Sequence, residues 1–150
     1  MHISEVIKRT DVLLGVSASS KPKLLQFLAQ TTAKALDVGE DEILNALACR
    51  EELGSTGIGE GIALPHAQVR CVVAPFVLLV RLVRPIEFEA IDDRPVDLIC
   101  LILTPPANNS SHLQLLSNAA RQLRCPNVIM SVRSASDPDQ VYEALTVSRE

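Results

Sequence analysis

The sequence predicts an α/β fold: a single-domain sandwich spanning residues 1–150, with helices flanking a mixed central sheet. Three observations lead there. Two apolar runs rich in β-branched residues, residues 72–83 and 96–104, have the length and composition of buried central strands. Segments with apolar residues at helical spacing precede and follow them. With 150 residues, 47% of them apolar and 21% charged, the chain can build its core without disulfides or structural metal.

The elements follow in order. Ile3, Val6 and Ile7 stand at i, i+3 and i+4 and predict a short helix within residues 1–8. Residues 12–16 predict a short strand. Ser19-Ser20-Lys21-Pro22, with a Ser cap and Pro in the first turn, opens a helix to about Leu36 that turns Leu24, Leu25 and Leu28 inward. Glu40, Asp41 and Glu42 suit the positive end of a second helix over residues 40–53. Its buried stripe is Ile43, Leu44 and Leu47, and Gly54 ends it. Between the two apolar runs, RPIEFEAIDDRP holds turn residues and a short edge-like segment, and Pro105-Pro106 stops the second run. Asn108-Asn109-Ser110-Ser111 then introduces a helix with Leu113, Leu116, Ala120 and Leu123 as its inward stripe. Residues 128–132 predict another strand, and Asp137-Pro138 caps a last helix through Val141, Ala144 and Leu145.

Composition excludes several classes of function. The formal charge of −4 is wrong for a protein that grips phosphate backbones non-specifically. Aromatics are 3%, too few for a base-stacking platform. No apolar run is long enough to insert in a membrane, and the first residues lack a signal-peptide layout, so a cytoplasmic protein is expected. Cys49, Cys71, Cys100 and Cys125 form no CxxC pair. They are expected to be reduced and mostly buried small hydrophobes.

The chemistry concentrates in GSTGIGEGIALPH, residues 54–66. It is not a Walker loop, because Gly54 and Gly59 are followed by Glu60 rather than Lys. It is not a dinucleotide fingerprint, because Gly57 and Gly59 are followed by Ile62 where the third glycine belongs. A GxSxG elbow is absent. The stretch ends on Pro65-His66 after the apolar triplet Ile62-Ala63-Leu64, a short strand able to deliver His66 to the surface of the sheet. Of the other histidines, His2 sits at the terminus and is expected to be solvated. His112 lies in the first turn of a helix, where the local field disfavours an imidazolium and favours a bound anion. Arg50, just before the loop, is either a solvated helix-end cation or a guanidinium reaching back over the loop toward oxyanion charge. A neutral imidazole facing a second histidine and an arginine suits phosphoryl transfer. The loose transition state of that reaction needs positioned donors, and this site requires neither metal nor cofactor. Within the loop, Ser55, Thr56, Gly57 and Gly59 are the candidate phosphate contacts.

CREELGSTGIGEGIALPHAQV, residues 49–69, resembles the active-site segment of the mannitol/fructose/nitrogen-type IIA proteins of the bacterial phosphoenolpyruvate-dependent phosphotransferase system. SSHLQLLSNAARQL, residues 110–123, resembles that family's second histidine and the helix it opens, and the likeness runs over about residues 3–146. The resemblance implies that His66 accepts a phosphoryl group, that His112 assists, and that Arg50 lines the same pocket. It also implies a donor of the HPr type, and either a IIB domain or regulatory target proteins downstream. A IIA unit with nothing attached is most similar to the nitrogen-regulatory subgroup. Ala67-Gln68 depart from the small residue, often Gly, that commonly follows the histidine.

Four readings are carried forward. The first is a regulatory phosphohistidine carrier. The second is a sugar-uptake IIA subunit passing phosphate to a IIB domain. The third is a binding module without chemistry, against which the joint presence of His66, His112 and Arg50 weighs. The fourth is a metal protein built on the two histidines and a nearby Cys or Glu.

Overall fold

The computed structural model describes residues 2–107 and 109–147. Its elements are α1 (Ile3–Val6), β1 (Val12–Val16), α2 (Lys21–Leu36), α3 (Glu40–Glu52), β2 (Gly57–Gly59), β3 (Ile62–Ala63), β4 (His66–Gln68), β5 (Phe76–Ile86), β6 (Val96–Thr104), α4 (Asn109–Arg124), α5 (Pro126–Ser134) and α6 (Pro138–Val147). A six-stranded mixed sheet runs in the order β1-β5-β6-β3-β2, with β4 also on β6. β5 and β6 pair antiparallel, whereas β1 on β5, and β3 and β4 on β6, are parallel.

Strand alternation gives the sheet two apolar faces. On one, Leu78, Val80, Ile99 and Leu101 pack with Leu24, Leu28, Ile43 and Leu47 of α2 and α3. On the other, Val77, Leu79, Leu98, Cys100 and Ile102 pack with Ile3, Leu115, Ala119, Leu123, Val132 and Leu145. The expected layered α/β architecture is therefore present. The two caps read from the sequence also form. Ser20 Oγ accepts the amide of Lys23 at 3.3 Å, and Asp137 Oδ1 accepts that of Gln140 at 2.9 Å.

Residues 128–132 are not a strand but part of α5. Pro126 opens that helix, and Val128 and Val132 are buried one turn apart while Met130 is 67% exposed, a helical and not an alternating pattern. The first long strand begins at Phe76 rather than at residue 72, directly after Pro75, and continues to Ile86 across a register shift against β6.

The inward stripe of α4 is rotated from the one expected. Leu115, Ala119 and Leu123 are buried together with His112, Asn118 and Gln122. Each polar member has a partner: Thr104 for His112, the Ile3 amide for Asn118, and the Leu145 carbonyl for Gln122. Buried polar groups that are hydrogen-bonded are tolerated; Leu116 and Ala120 pack at the edge of this core, and Leu113 is exposed. His2 is not simply solvated, because its Nδ1 accepts a hydrogen bond from Asn118 Nδ2 at 2.7 Å. Nor are the cysteines mostly buried: Cys100 is, Cys71 is half-buried, Cys49 is exposed on α3, and Cys125 is exposed between α4 and α5. Asn108, expected to help start α4, lies outside the described residues. No described helix is long and apolar enough to cross a membrane.

Candidate functional site

The site forms where β4 runs beside the C-terminal half of β6. β3 and β4 occupy one row on that strand, with Ile62 opposite Leu98 and His66 opposite Ile102. Leu64 and Pro65 form the break between them, and Pro65, lacking an N–H, suits a gap in the ladder. The Pro65 carbonyl still accepts the Ile102 amide at 3.0 Å, so His66 leaves the break at a defined height on the sheet.

His66 is half-buried, and both ring nitrogens are engaged. Nδ1 lies 2.8 Å from the Leu64 carbonyl, and Nε2 lies 3.2 Å from Arg50 Nε. A guanidinium N–H can only donate and a carbonyl can only accept. The neutral ring therefore carries its proton on Nδ1 and an acceptor lone pair on Nε2. Burial pushes the imidazole below its ordinary 6.5; the Leu64 carbonyl acts against that, the Arg50 charge adds to it, and Glu51 opposes it. Arg50 also donates Nη1 to the Gly54 carbonyl at 2.9 Å. Of the two readings of Arg50, the structure takes the one that reaches back over the loop.

His112 is buried in the first turn of α4. Its ring centroid is 5.5 Å from that of His66, with the planes at 54°. Nδ1 lies 2.6 Å from Thr104 Oγ1 at the end of β6. Burial lowers its pKa, and the neighbouring His66 lowers it further, so two neutral imidazoles share the site near neutral pH. Among the described residues, no cluster of three or more His, Cys, Asp or Glu side chains has the arrangement of a metal site.

The glycine loop is held in place by its own hydrogen bonds and by Glu51. The Thr56 amide donates to Glu51 Oε1 at 3.1 Å, and the Gly57 amide to Ser55 Oγ at 3.1 Å. Gly57 and Gly59 lie in β2, and a Cβ on Gly57 would stand 2.7 Å from the Ala90 Cβ. The close approach that this glycine allows is to Ala90. The amides of Thr56 and Gly57 thus have partners within the loop and α3. Ser55 and Thr56 remain at the site as lining of a groove of about 520 Å³, together with Arg50, His66, Leu113 and Leu116.

Two features escaped sequence reasoning. Glu51, with a side chain 6% exposed, pairs with Lys21 Nζ at 3.0 Å and also accepts the Thr56 hydroxyl. That network joins α2, α3 and the loop behind Arg50. Thr104 is the other, brought to His112 only by the packing of α4 on the sheet. Neither carries a motif, although the salt bridge spans 30 residues and involves the residue next to Arg50.

Comparison with known proteins decides the family. The family model described as "Phosphoenolpyruvate-dependent sugar phosphotransferase system, EIIA 2" matches residues 5–147. The chain belongs to this family. This IIA chain is similar to the nitrogen regulatory protein of Bradyrhizobium diazoefficiens, at 34% identity over 98% of this chain and 96% of that one. It is also similar to the fructose-specific EIIA component of Haloferax volcanii, at 35% identity over 95% and 94%. Among solved structures it matches the nitrogen regulatory protein IIA-Ntr of Neisseria meningitidis with a TM-score of 0.90 and 28% identity, covering 95% of this chain and 98% of that one. The chain is thus a IIA component of a phosphotransferase system, and its sheet and flanking helices are the architecture of its relatives.

Proposed function

We propose that this IIA component is a phosphohistidine carrier that accepts a phosphoryl group on Nε2 of His66 from an HPr-type protein. The observation that carries this reading is the hydrogen bond from His66 Nδ1 to the Leu64 carbonyl, which leaves the lone pair on Nε2, beside Arg50. In the transfer, Nε2 forms a bond to phosphorus as the P–N bond of the donor breaks, and the donor imidazole keeps the electron pair. No proton needs to leave His66, because Nε2 carries none and Nδ1 keeps its own. The Arg50 guanidinium turns from the lone pair to the equatorial oxygens, where charge is greatest. His112 supplies a second neutral hydrogen-bonding group on the far side. A IIA chain exchanging phosphate between imidazoles needs no metal or nucleotide for this step.

The nitrogen regulatory relatives support a signalling role, in which phosphorylation state is read by target proteins in the cytoplasm. The fructose-specific relative keeps the uptake reading, with a IIB domain as acceptor, as the alternative. Leu113, 64% exposed, and Leu53, 84% exposed, offer an apolar rim for a transient partner.

The test is intact mass after incubation with phosphoenolpyruvate, enzyme I and an HPr-type carrier. One acid-labile phosphate (about 80 Da) in wild-type protein and none in folded His66→Ala is the expected result. No gain in wild-type protein with several carriers would overturn the carrier reading. Loss of the label on adding a IIB domain would favour uptake over signalling.

A further inference from the structure

Thr104 is the last residue of β6 and is fully buried. It lies two residues beyond Ile102, which is opposite His66 and faces the α4 side of the sheet. Its side chain therefore points toward α4, and the backbone is held there because its carbonyl accepts the Val69 amide at 3.0 Å. Its Oγ1 lies 2.6 Å from His112 Nδ1. Two arrangements satisfy that distance. Either the hydroxyl donates to a bare Nδ1 and His112 carries its proton on Nε2, or Nδ1–H donates to the hydroxyl and Nε2 is bare.

The two are not equivalent. Among the described residues, His112 is the only hydrogen-bond partner of Thr104 Oγ1. In the second arrangement a hydroxyl proton inside the fold has no acceptor, which is costly. In the first, that proton is placed. The first also suits an anion, since Nε2–H can donate to a phosphoryl oxygen whereas a bare Nε2 would repel it.

We propose that Thr104 is a positioning residue that fixes the tautomer of His112, its hydroxyl donating to Nδ1 so that Nε2–H faces the phosphoryl group. The inference rests on the reading of His66 as acceptor. The two histidines then have opposite tautomers: Leu64 leaves Nε2 of His66 bare as the nucleophile, and Thr104 keeps Nε2 of His112 protonated as the donor.

The test is histidine nitrogen NMR on unphosphorylated wild-type protein, Thr104→Ser and Thr104→Val, with His112 assigned by comparison with His112→Gln. Initial rates of phosphoryl transfer from an HPr-type carrier are measured on the same samples. A pyrrole-type Nε2 on His112 is expected in wild-type protein and in Thr104→Ser. Thr104→Val is expected to shift the tautomer toward Nδ1–H and slow transfer about tenfold, with Thr104→Ser near the wild-type rate. A pyridine-type Nε2 on His112 in wild-type protein overturns the proposal. So does a Thr104→Val variant that keeps both the wild-type tautomer and the wild-type rate. If Thr104→Val fails to fold, the wild-type spectrum still decides. Failure of the acceptor reading shows separately, as no mass gain in wild-type protein, whatever the spectra.

Discussion

Arg50 Nε donates to His66 Nε2 across 3.2 Å, so the atom assigned as nucleophile is held by the group assigned to stabilise the incoming charge. The contact has two consequences. It adds to burial, the larger cause, in disfavouring a second proton on the imidazole. It also keeps a strong donor within reach of the site where phosphoryl oxygens arrive.

Substitution of Arg50 tests both. Arg50→Ala is expected to lower the rate of phosphoryl acceptance by about 10- to 150-fold, the equivalent of the roughly 1.5–3 kcal/mol of a charge-assisted hydrogen bond. Stopped-flow or quench measurement of transfer at limiting carrier reads it. A wild-type rate in Arg50→Ala would show that the guanidinium has no part in the transition state. Arg50→Lys keeps the charge but loses the Nε contact, and is expected to recover only part of the rate.

Glu51 and Lys21 form an ion pair with side chains 6% and 14% exposed. Removing Glu51 leaves Lys21 only the longer 3.9 Å contact with the exposed Glu89 and the 3.5 Å contact with the Phe88 carbonyl, so Glu51→Ala is expected to destabilise by about 3 kcal/mol. The double variant Lys21→Met/Glu51→Leu is expected to recover part of that loss. Urea midpoints measure the cycle, and equal losses in the single and double variants would show that stranded charge is not the cause. Because Glu51 also holds Thr56, the single variant should loosen the loop, visible as faster amide exchange at Thr56.

Stability should depend on pH through the two histidines. Both have folded pKa values below the 6.5 of the unfolded chain, mainly through burial. The unfolded state therefore takes up protons first as pH falls, and the stability from the neutral rings is complete above about pH 6.5 and lost toward the folded pKa values. Thermal unfolding of wild-type protein from pH 8 to 5 should show that loss, and His66→Gln should flatten it. The Asp11 carboxyl, raised by burial, is common to both proteins and cancels in the difference. Identical slopes would contradict the shift assigned to His66.

Gly57→Ala would bring a methyl to 2.7 Å from the Ala90 Cβ and 2.8 Å from its Cα, which is backbone and cannot rotate away. Overpacking of this kind is expected to cost about 1–3 kcal/mol. Gly57→Ala/Ala90→Gly removes the nearer contact and should restore part of the loss, as chemical denaturation would register.

Most of the layered frame was legible because it rests on local signals. Ser20 and Asp137 cap their helices as capping chemistry dictates, and the second apolar run matches β6, because a strand buried on both faces must be apolar throughout. Two of the misreadings share an origin. Residues 128–132 and the stripe of α4 were assigned by apolar spacing alone. In the fold, Pro126 starts a helix, and His112, Asn118 and Gln122 are drawn inward by partners far away in the chain. Spacing cannot reveal a hydrogen bond between residues 3 and 118.

For the site, the sequence by itself determined which chemical groups are available: two histidines in pointed positions, an arginine before a glycine loop, and a segment specific enough to mark the family. Only the tertiary structure decided what each atom can do. Tautomers are set by the partner of the other ring nitrogen, and for His66 and His112 those partners are the Leu64 carbonyl and the Thr104 hydroxyl. The amides of Thr56 and Gly57 are taken up by Glu51 and Ser55. Hydrogen bonds depend on fractions of an ångström between groups that the sheet and α4 bring together, and a sequence pattern carries residue types and spacings but not those distances.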